Sequence, residues 1–175
     1  MIIVITGPSG SGKTTIRRIL SDEYDIPALK NVTTRSRRPG ERDGVDYLFV
    51  TAGEFRRMRD EGLLLEWVEY SGNLYGLKRT EDLRGVTVLE TEGARRLKAM
   101  FPDKVRIVYL EVPEQIRMER MLDRGDSPQK AHLRIARDRE RFEDSGLKQQ
   151  ADLVVCNIDM ASAVKKILPL FEGNS

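Results

Sequence analysis

The chain has 175 residues, of which 39% are apolar and 33% charged, with a net charge of +2; that is enough apolar material for one folded domain and excludes a disordered chain. No apolar run approaches the roughly 20 residues a membrane-crossing helix needs, so no membrane partner and a cytoplasmic address are expected. One cysteine, Cys156, and one histidine, His132, exclude an internal disulfide and a Cys/His zinc module, and so small a charge excess makes no case for a nucleic-acid partner.

Met1 to Thr6 is an apolar β-branched run that stops at Gly7, and Ile16 with Ile19 and Leu20 continues at helical spacing, so the chain opens as strand, glycine loop, helix. From Asn31 to about Arg79 the texture changes to a polar loop followed by short strands at Tyr47–Val50, Leu63–Tyr70 and Leu74–Tyr75. Thr51 and Glu54 have the spacing of a capping box, which predicts one helix inside this insert. Val86–Leu89 and Val105–Val112 read as strands buried on both faces, followed by helices near 92–100 and 114–123. Residues 124–130 form a polar break, 131–143 a charged helix with an arginine-rich face, and Val154–Cys156 a last strand with Cys156 expected in the core. Asp159 is placed to cap a closing helix whose Ala163, Ile167 and Leu168 face inward.

Gly7-Pro8-Ser9-Gly10-Ser11-Gly12-Lys13-Thr14 satisfies G-x-x-x-x-G-K-[ST] between a predicted strand and a predicted helix. Such a loop turns several backbone N–H groups and a helix N-terminus toward one anion. Lys13 is then expected to reach the β- and γ-phosphates of a nucleoside triphosphate, and the Thr14 hydroxyl to ligate Mg²⁺. Of the 30 basic residues 21 are arginine, the side chain whose planar fork grips phosphate in a bidentate way.

Further on, Thr33-Thr34-Arg35-Ser36-Arg37-Arg38, Gly40-Glu41, Gly44-Val45-Asp46-Tyr47-Leu48-Phe49-Val50, Leu65-Glu66-Trp67 and Gly72-Asn73-Leu74-Tyr75-Gly76 resemble the acceptor lobe of guanylate kinases. The resemblance extends over roughly the whole chain and is densest between 31 and 76. It implies an α/β fold: a P-loop NTPase core with a parallel sheet flanked by helices (about 1–30, 80–123 and 144–175), a mostly β acceptor-binding insert (about 31–79) and a short helical lid (about 124–143). The implied reaction is Mg²⁺-dependent transfer of phosphate from ATP to GMP or dGMP. Carried over by position, the resemblance gives Gly7 to Thr14 with Thr15 and Asn157 to ATP, and Arg35, Arg38, Tyr47 and Tyr75 to the acceptor phosphate. Asn31 and Glu66 fall to the guanine, and Glu90 to the ribose and metal side. Lys13, Arg35, Arg124 and Arg134 are the candidate catalytic charges, with Arg137 a substitute for Arg134 if the lid register slips. Asn157 can equally be a turn-forming asparagine.

Chemistry agrees with these roles. A phosphate dianion calls for charge-assisted donors, and an ionised carboxylate only accepts, which matches the N1 and N2 donors of guanine and opposes adenine. Three positions depart from the family pattern. Asn31 stands in place of a serine, though its carboxamide can donate to guanine O6. Leu77 replaces a serine or threonine. The stretch Val86-Thr87-Val88-Leu89-Glu90 keeps an acid only at Glu90 and has Val88 where a first aspartate is usual. Alternatives are a kinase of the same fold acting on another nucleotide or a sugar phosphate, and a phosphopeptide-binding module that has kept the lobe.

Overall fold

The computed structural model describes residues 1–144 and 146–172. In chain order its elements are β1 (Ile2–Thr6), α1 (Lys13–Glu23), β2 (Asn31–Thr33), β3 (Leu48–Phe49), α2 (Ala52–Asp60), β4 (Leu64–Tyr70), β5 (Asn73–Lys78), β6 (Gly85–Val88), α3 (Thr91–Met100), β7 (Val105–Glu111), α4 (Glu114–Asp123), α5 (Pro128–Asp144), α6 (Leu147–Gln150), β8 (Leu153–Cys156), α7 (Met160–Ile167) and α8 (Pro169–Glu172). None of the described helices is long and apolar enough to cross a membrane.

Four strands form a parallel sheet in the order β6-β1-β7-β8. The apolar run of β1 has a side chain for each face. Ile3 and Ile5 pack with Ile16 and Leu20 of α1 and Val164 and Ile167 of α7, whereas Ile2 and Val4 pack with Ala94 and Leu97 of α3. Both faces are therefore covered, as a parallel sheet requires. Because β6 lies on one side of β1 and β7 on the other, the chain reverses its direction of winding at the carboxyl end of β1, where α/β sheets open a ligand crevice. The glycine loop occupies that point.

A second, mixed sheet in the order β3-β2-β5-β4 builds the insert. Its small core is Val32, Phe55 and Leu64, and α2 is held by the expected box: Thr51 Oγ1 accepts from the Glu54 N–H at 3.2 Å while the Glu54 carboxylate accepts from the Thr51 N–H at 2.8 Å.

Three features differ from expectation. Residues 31–33, read as part of a polar loop, are a fully buried strand, because Thr33 donates through its hydroxyl to the Leu74 carbonyl and Asn31 satisfies its amide internally. The charged helix expected over 131–143 begins at Pro128, inside the polar break read at 124–130. Proline is well suited to a first helical turn, and the Ser127 carbonyl already accepts from Ala131 at 2.9 Å. Cys156 is exposed: β8 is an edge strand whose residues alternate, so Val155 packs inward and Val154 and Cys156 face out. Asp159 caps α7 as expected, accepting from the Ser162 N–H at 2.7 Å.

Candidate active site

The loop between β1 and α1 turns back on itself, the Ser11 N–H donating to the Pro8 carbonyl at 3.2 Å. Gly12 sits at φ 88, in the left-handed region, and a Cβ there would lie 2.5 Å from Asn157 Nδ2, so glycine is required twice over. The first turn of α1 holds no acidic side chain and no side-chain cap, which leaves its N–H groups to an anion. Lys13 Nζ folds onto the loop and donates to the carbonyls of Gly7 at 2.6 Å and Pro8 at 2.9 Å. Burial pulls its pKa down to about 8, against the opposing pull of Glu90 and Asp138. Asn157, 0% exposed, lies beneath the loop, and its Nδ2 donates to the Ser11 carbonyl at 2.7 Å. It braces the loop from below.

A cleft of about 390 Å³ opens above the loop, and its walls unite residues far apart in sequence. Ser9, Gly10, Gly12, Lys13, Thr14 and Thr15 line it from the glycine loop and α1, Arg35, Arg38, Tyr47 and Tyr75 from the insert, and Arg124, Arg134 and Arg137 from the end of α4 and from α5. Arg35 makes two bonds to the Glu41 carboxylate at 2.8 and 3.0 Å, and its guanidinium lies over the rings of Tyr47 and Phe49 at 5.6 and 5.7 Å. Arg38 is less well compensated. Its Nε is buried without a partner among the described residues, and burial together with the neighbouring Arg35, Arg134 and Arg124 lowers its pKa to about 10. Burial pushes the Tyr47 hydroxyl up to about 12, so it remains a donor. Arg124 and Arg134 both turn to Asp126, Arg124 Nε at 2.8 Å and Arg134 at 3.7 Å, while Arg137 donates to Ser71 Oγ at 2.9 Å. Both readings of the lid register therefore put an arginine on the cleft. Glu41 and Glu90 are the only carboxylates among its described lining residues. The cleft is a cationic trough.

At its far end a crevice of about 10 Å³, room for a single water, runs between Asn31, Glu66, Val68, Gly76 and Val88. Glu66 is 5% exposed and its Oε2 has no hydrogen-bond partner among the described residues. Burial raises its pKa to about 7, with Arg96 pulling down and Glu90 pushing up. The carboxylate fits only because residue 93 is glycine: a Cβ there would lie 2.6 Å from Glu66 Oε2. Asn31 is committed on two sides, its Nδ2 donating to the Val88 carbonyl at 3.1 Å and its Oδ1 accepting from Thr87 at 3.0 Å. That arrangement fixes the amide orientation and leaves one N–H free to donate. Glu90 lines both cavities and pairs with Arg141 of α5 at 2.7 Å; the Arg141 guanidinium rests 4.0 Å above the Tyr70 ring.

A family model described as guanylate kinase matches residues 1–173. The chain belongs to the guanylate kinase family. It is 36% identical over 185 residues to the guanylate kinase of Streptococcus agalactiae, covering 99% of this chain and 86% of that one. To the guanylate kinase of Streptococcus pyogenes it is 37% identical over 183 residues, covering 98% and 85%. Among solved structures, the crystal structure of guanylate kinase from Anaplasma phagocytophilum superposes with a TM-score of 0.73 at 25% identity, covering 99% of this chain and 85% of that one.

One departure from the guanylate kinase pattern then has a structural reason. Leu77 is fully buried in the core beneath the sheet with Ile2, Val4 and Leu97, so this position serves packing. Sequence reasoning missed the carboxylates that hold the site's cations, Glu41 and Asp126, as well as Arg141 on the lid helix. Glu41 stood in plain view in the Gly40-Glu41 pair, but nothing in the spacing says which guanidinium it meets.

Proposed function

We propose that this member of the guanylate kinase family transfers the γ-phosphoryl group of ATP to GMP or dGMP, yielding ADP and GDP or dGDP. What carries the reading is that one cavity is lined both by Lys13 with the glycine loop and by Arg35, Arg38, Tyr47 and Tyr75, with a buried carboxylate, Glu66, in the crevice that shares Tyr47 and Tyr75 with it. Two phosphate sites facing each other are what an in-line displacement needs. An oxygen of the acceptor phosphate attacks the γ-phosphorus, and the bond from that phosphorus to the β–γ bridging oxygen breaks. The acceptor is already anionic, so no general base is required. Lys13 neutralises the β- and γ-oxygens, Arg35 and Arg38 hold the acceptor dianion, and Arg124 and Arg134 supply charge to the migrating group. In this account Asp126 and Glu41 occupy those arginines until phosphate takes their place.

Glu66 accepts from guanine N1 and N2, and the free N–H of Asn31 donates to O6. The residues also fit a metal of the Mg²⁺ type: Thr14 lines the cleft beside Lys13 and the glycine loop, and an ion of this kind is held chiefly by substrate phosphates and water, with few protein ligands. Thr14 would hold it, and Mg²⁺ would supply neutralisation of the charge that develops on the triphosphate. The insert, about 31–79, then acts as the acceptor lobe, and the region about 124–143 as the lid.

A coupled assay of ADP formation with GMP, dGMP, AMP, CMP and UMP tests this directly. The expected result is turnover with GMP or dGMP and at least about 10⁴-fold lower kcat/KM with AMP, since a site built around a buried acceptor rejects a base that cannot donate to it. A pyrimidine preference, or no turnover with any of the five, overturns the substrate assignment.

A further inference from the structure

The face that α5 turns toward the molecule carries Arg134 and Arg137 to the cleft and Arg141 to Glu90, and between them Asp138 does something the reaction scheme does not use. Asp138 is 3% exposed, and its Oδ2 accepts from the backbone N–H of Ser9, in the middle of the glycine loop, at 2.6 Å. Arg117 of α4, 7% exposed, donates to the Ser9 carbonyl at 3.3 Å and lies 3.5 Å from the same Asp138 oxygen. Both polar groups of one peptide residue are thus gripped by a buried ion pair. Ser9 lines the cleft, whereas Asp138 and Arg117 do not; they hold the loop from outside it, Arg117 on the wall of a separate cavity with Pro8 and Tyr109.

A buried ion pair is a poor way to gain stability, because apolar side chains of similar volume usually serve as well or better. It is a good way to fix geometry. Here it fixes two things at once. The backbone of the loop is fixed at Ser9, and α5 is pinned to the loop one turn away from Arg134. We infer that Asp138, supported by Arg117, is a positioning residue that sets the shape of the phosphate loop and the register of the lid arginines against it. The inference rests on the reading of this loop as the donor triphosphate site. The Arg141–Glu90 pair and the Arg137–Ser71 bond then tie the same helix to the acceptor side, so α5 spans both halves of the cleft.

The test uses the near-isosteric Asp138→Asn and the apolar double variant Arg117→Met/Asp138→Leu. Each is measured by thermal midpoint, by calorimetry with Mg·ATP and separately with GMP, by kcat, and by the ¹⁵N–¹H resonance of Ser9. Misplacing reacting groups by an ångström costs on the order of 10²-fold. The double variant is expected to melt at or above the wild-type midpoint, lose about 10-fold or more in ATP affinity and about 10²-fold in kcat, and keep the wild-type GMP dissociation constant. Asp138→Asn, which retains an acceptor oxygen, should recover most of the ATP affinity but not all of kcat, and its Ser9 amide resonance should move upfield. If the double variant does not fold, Asp138→Asn decides. Variants that fold and keep both wild-type ATP affinity and wild-type kcat overturn the inference, as does an equal loss of ATP and GMP binding, which would mark a merely structural pair. A wild-type chain that binds no ATP would instead overturn the donor-site reading.

Discussion

Glu66 sits in a wall of Asn31, Val68, Gly76 and the α3 backbone at Gly93, with one oxygen unsatisfied and a pKa pushed up to about 7 by burial. A carboxyl so placed favours the folded state only while it is protonated. Between the model-compound value of 4.5 and about 7 the folded chain binds more protons than the unfolded one, so its contribution is greatest below 4.5 and is lost as pH rises through 7. A shift of this size corresponds to roughly 3 kcal/mol. Glu66→Gln is accordingly expected to be more stable than wild type in urea at pH 8 by up to that amount, with the difference shrinking toward pH 5, while losing its preference for guanine. A difference that does not change with pH would mean that Glu66 is not the strained group. The resemblance singled out Arg35, Arg38 and Glu66 in the sequence, and the structure brings the two arginines to the cleft and the carboxylate to the crevice beside it. Their partners could not be read there: with 30 basic and 28 acidic side chains, the choice of Glu41 for Arg35 or Asp126 for Arg124 is made by tertiary placement.

At the scale of elements, local chemistry was legible wherever it was self-contained. The capping box of α2 is one case, and it offers a clean measurement. Thr51→Ala removes the acceptor for the Glu54 N–H on an exposed surface, and the loss is expected to be about 1 kcal/mol, read as a lowered urea midpoint with an unchanged slope. A loss below a few tenths would show that the insert does not depend on its only long helix being capped. Elements defined by what packs on them were harder to read. β2 is three residues whose hydroxyl and carboxamide side chains look solvent-bound in a linear reading, yet they are buried because β5 and the β6 backbone satisfy them. Cys156 shows the reverse: an apolar triplet reads as core, and only its place on the edge strand turns alternate residues outward.

The two sheets are joined both by the buried Leu77 of β5, packed with Ile2 and Val4 of β1, and by charged contacts. Asp46 of the insert accepts from Arg18 of α1 at 2.7 Å and from the Arg42 N–H at 2.8 Å, and Arg17 donates to the Val45 carbonyl at 3.1 Å. The bonds of Arg17 and Arg18 join the insert to the helix that begins at the glycine loop, while α5 reaches both the loop at Ser9 and the insert at Ser71. The long-range order was legible as motifs in sequence, but their convergence on one cavity is a property of the fold alone. The central claim is that donor and acceptor phosphates are bound face to face, within one continuous trough. Calorimetry with a dinucleotide in which adenosine and guanosine are joined through a five-phosphate bridge tests it most directly, because linking two ligands raises affinity only when both sites can be filled at once. The account predicts one dinucleotide per chain, bound at least about 10²-fold more tightly than ATP or GMP alone, with that advantage abolished by Arg38→Ala. A dinucleotide that binds no better than ATP, or whose binding is indifferent to Arg38, would contradict it.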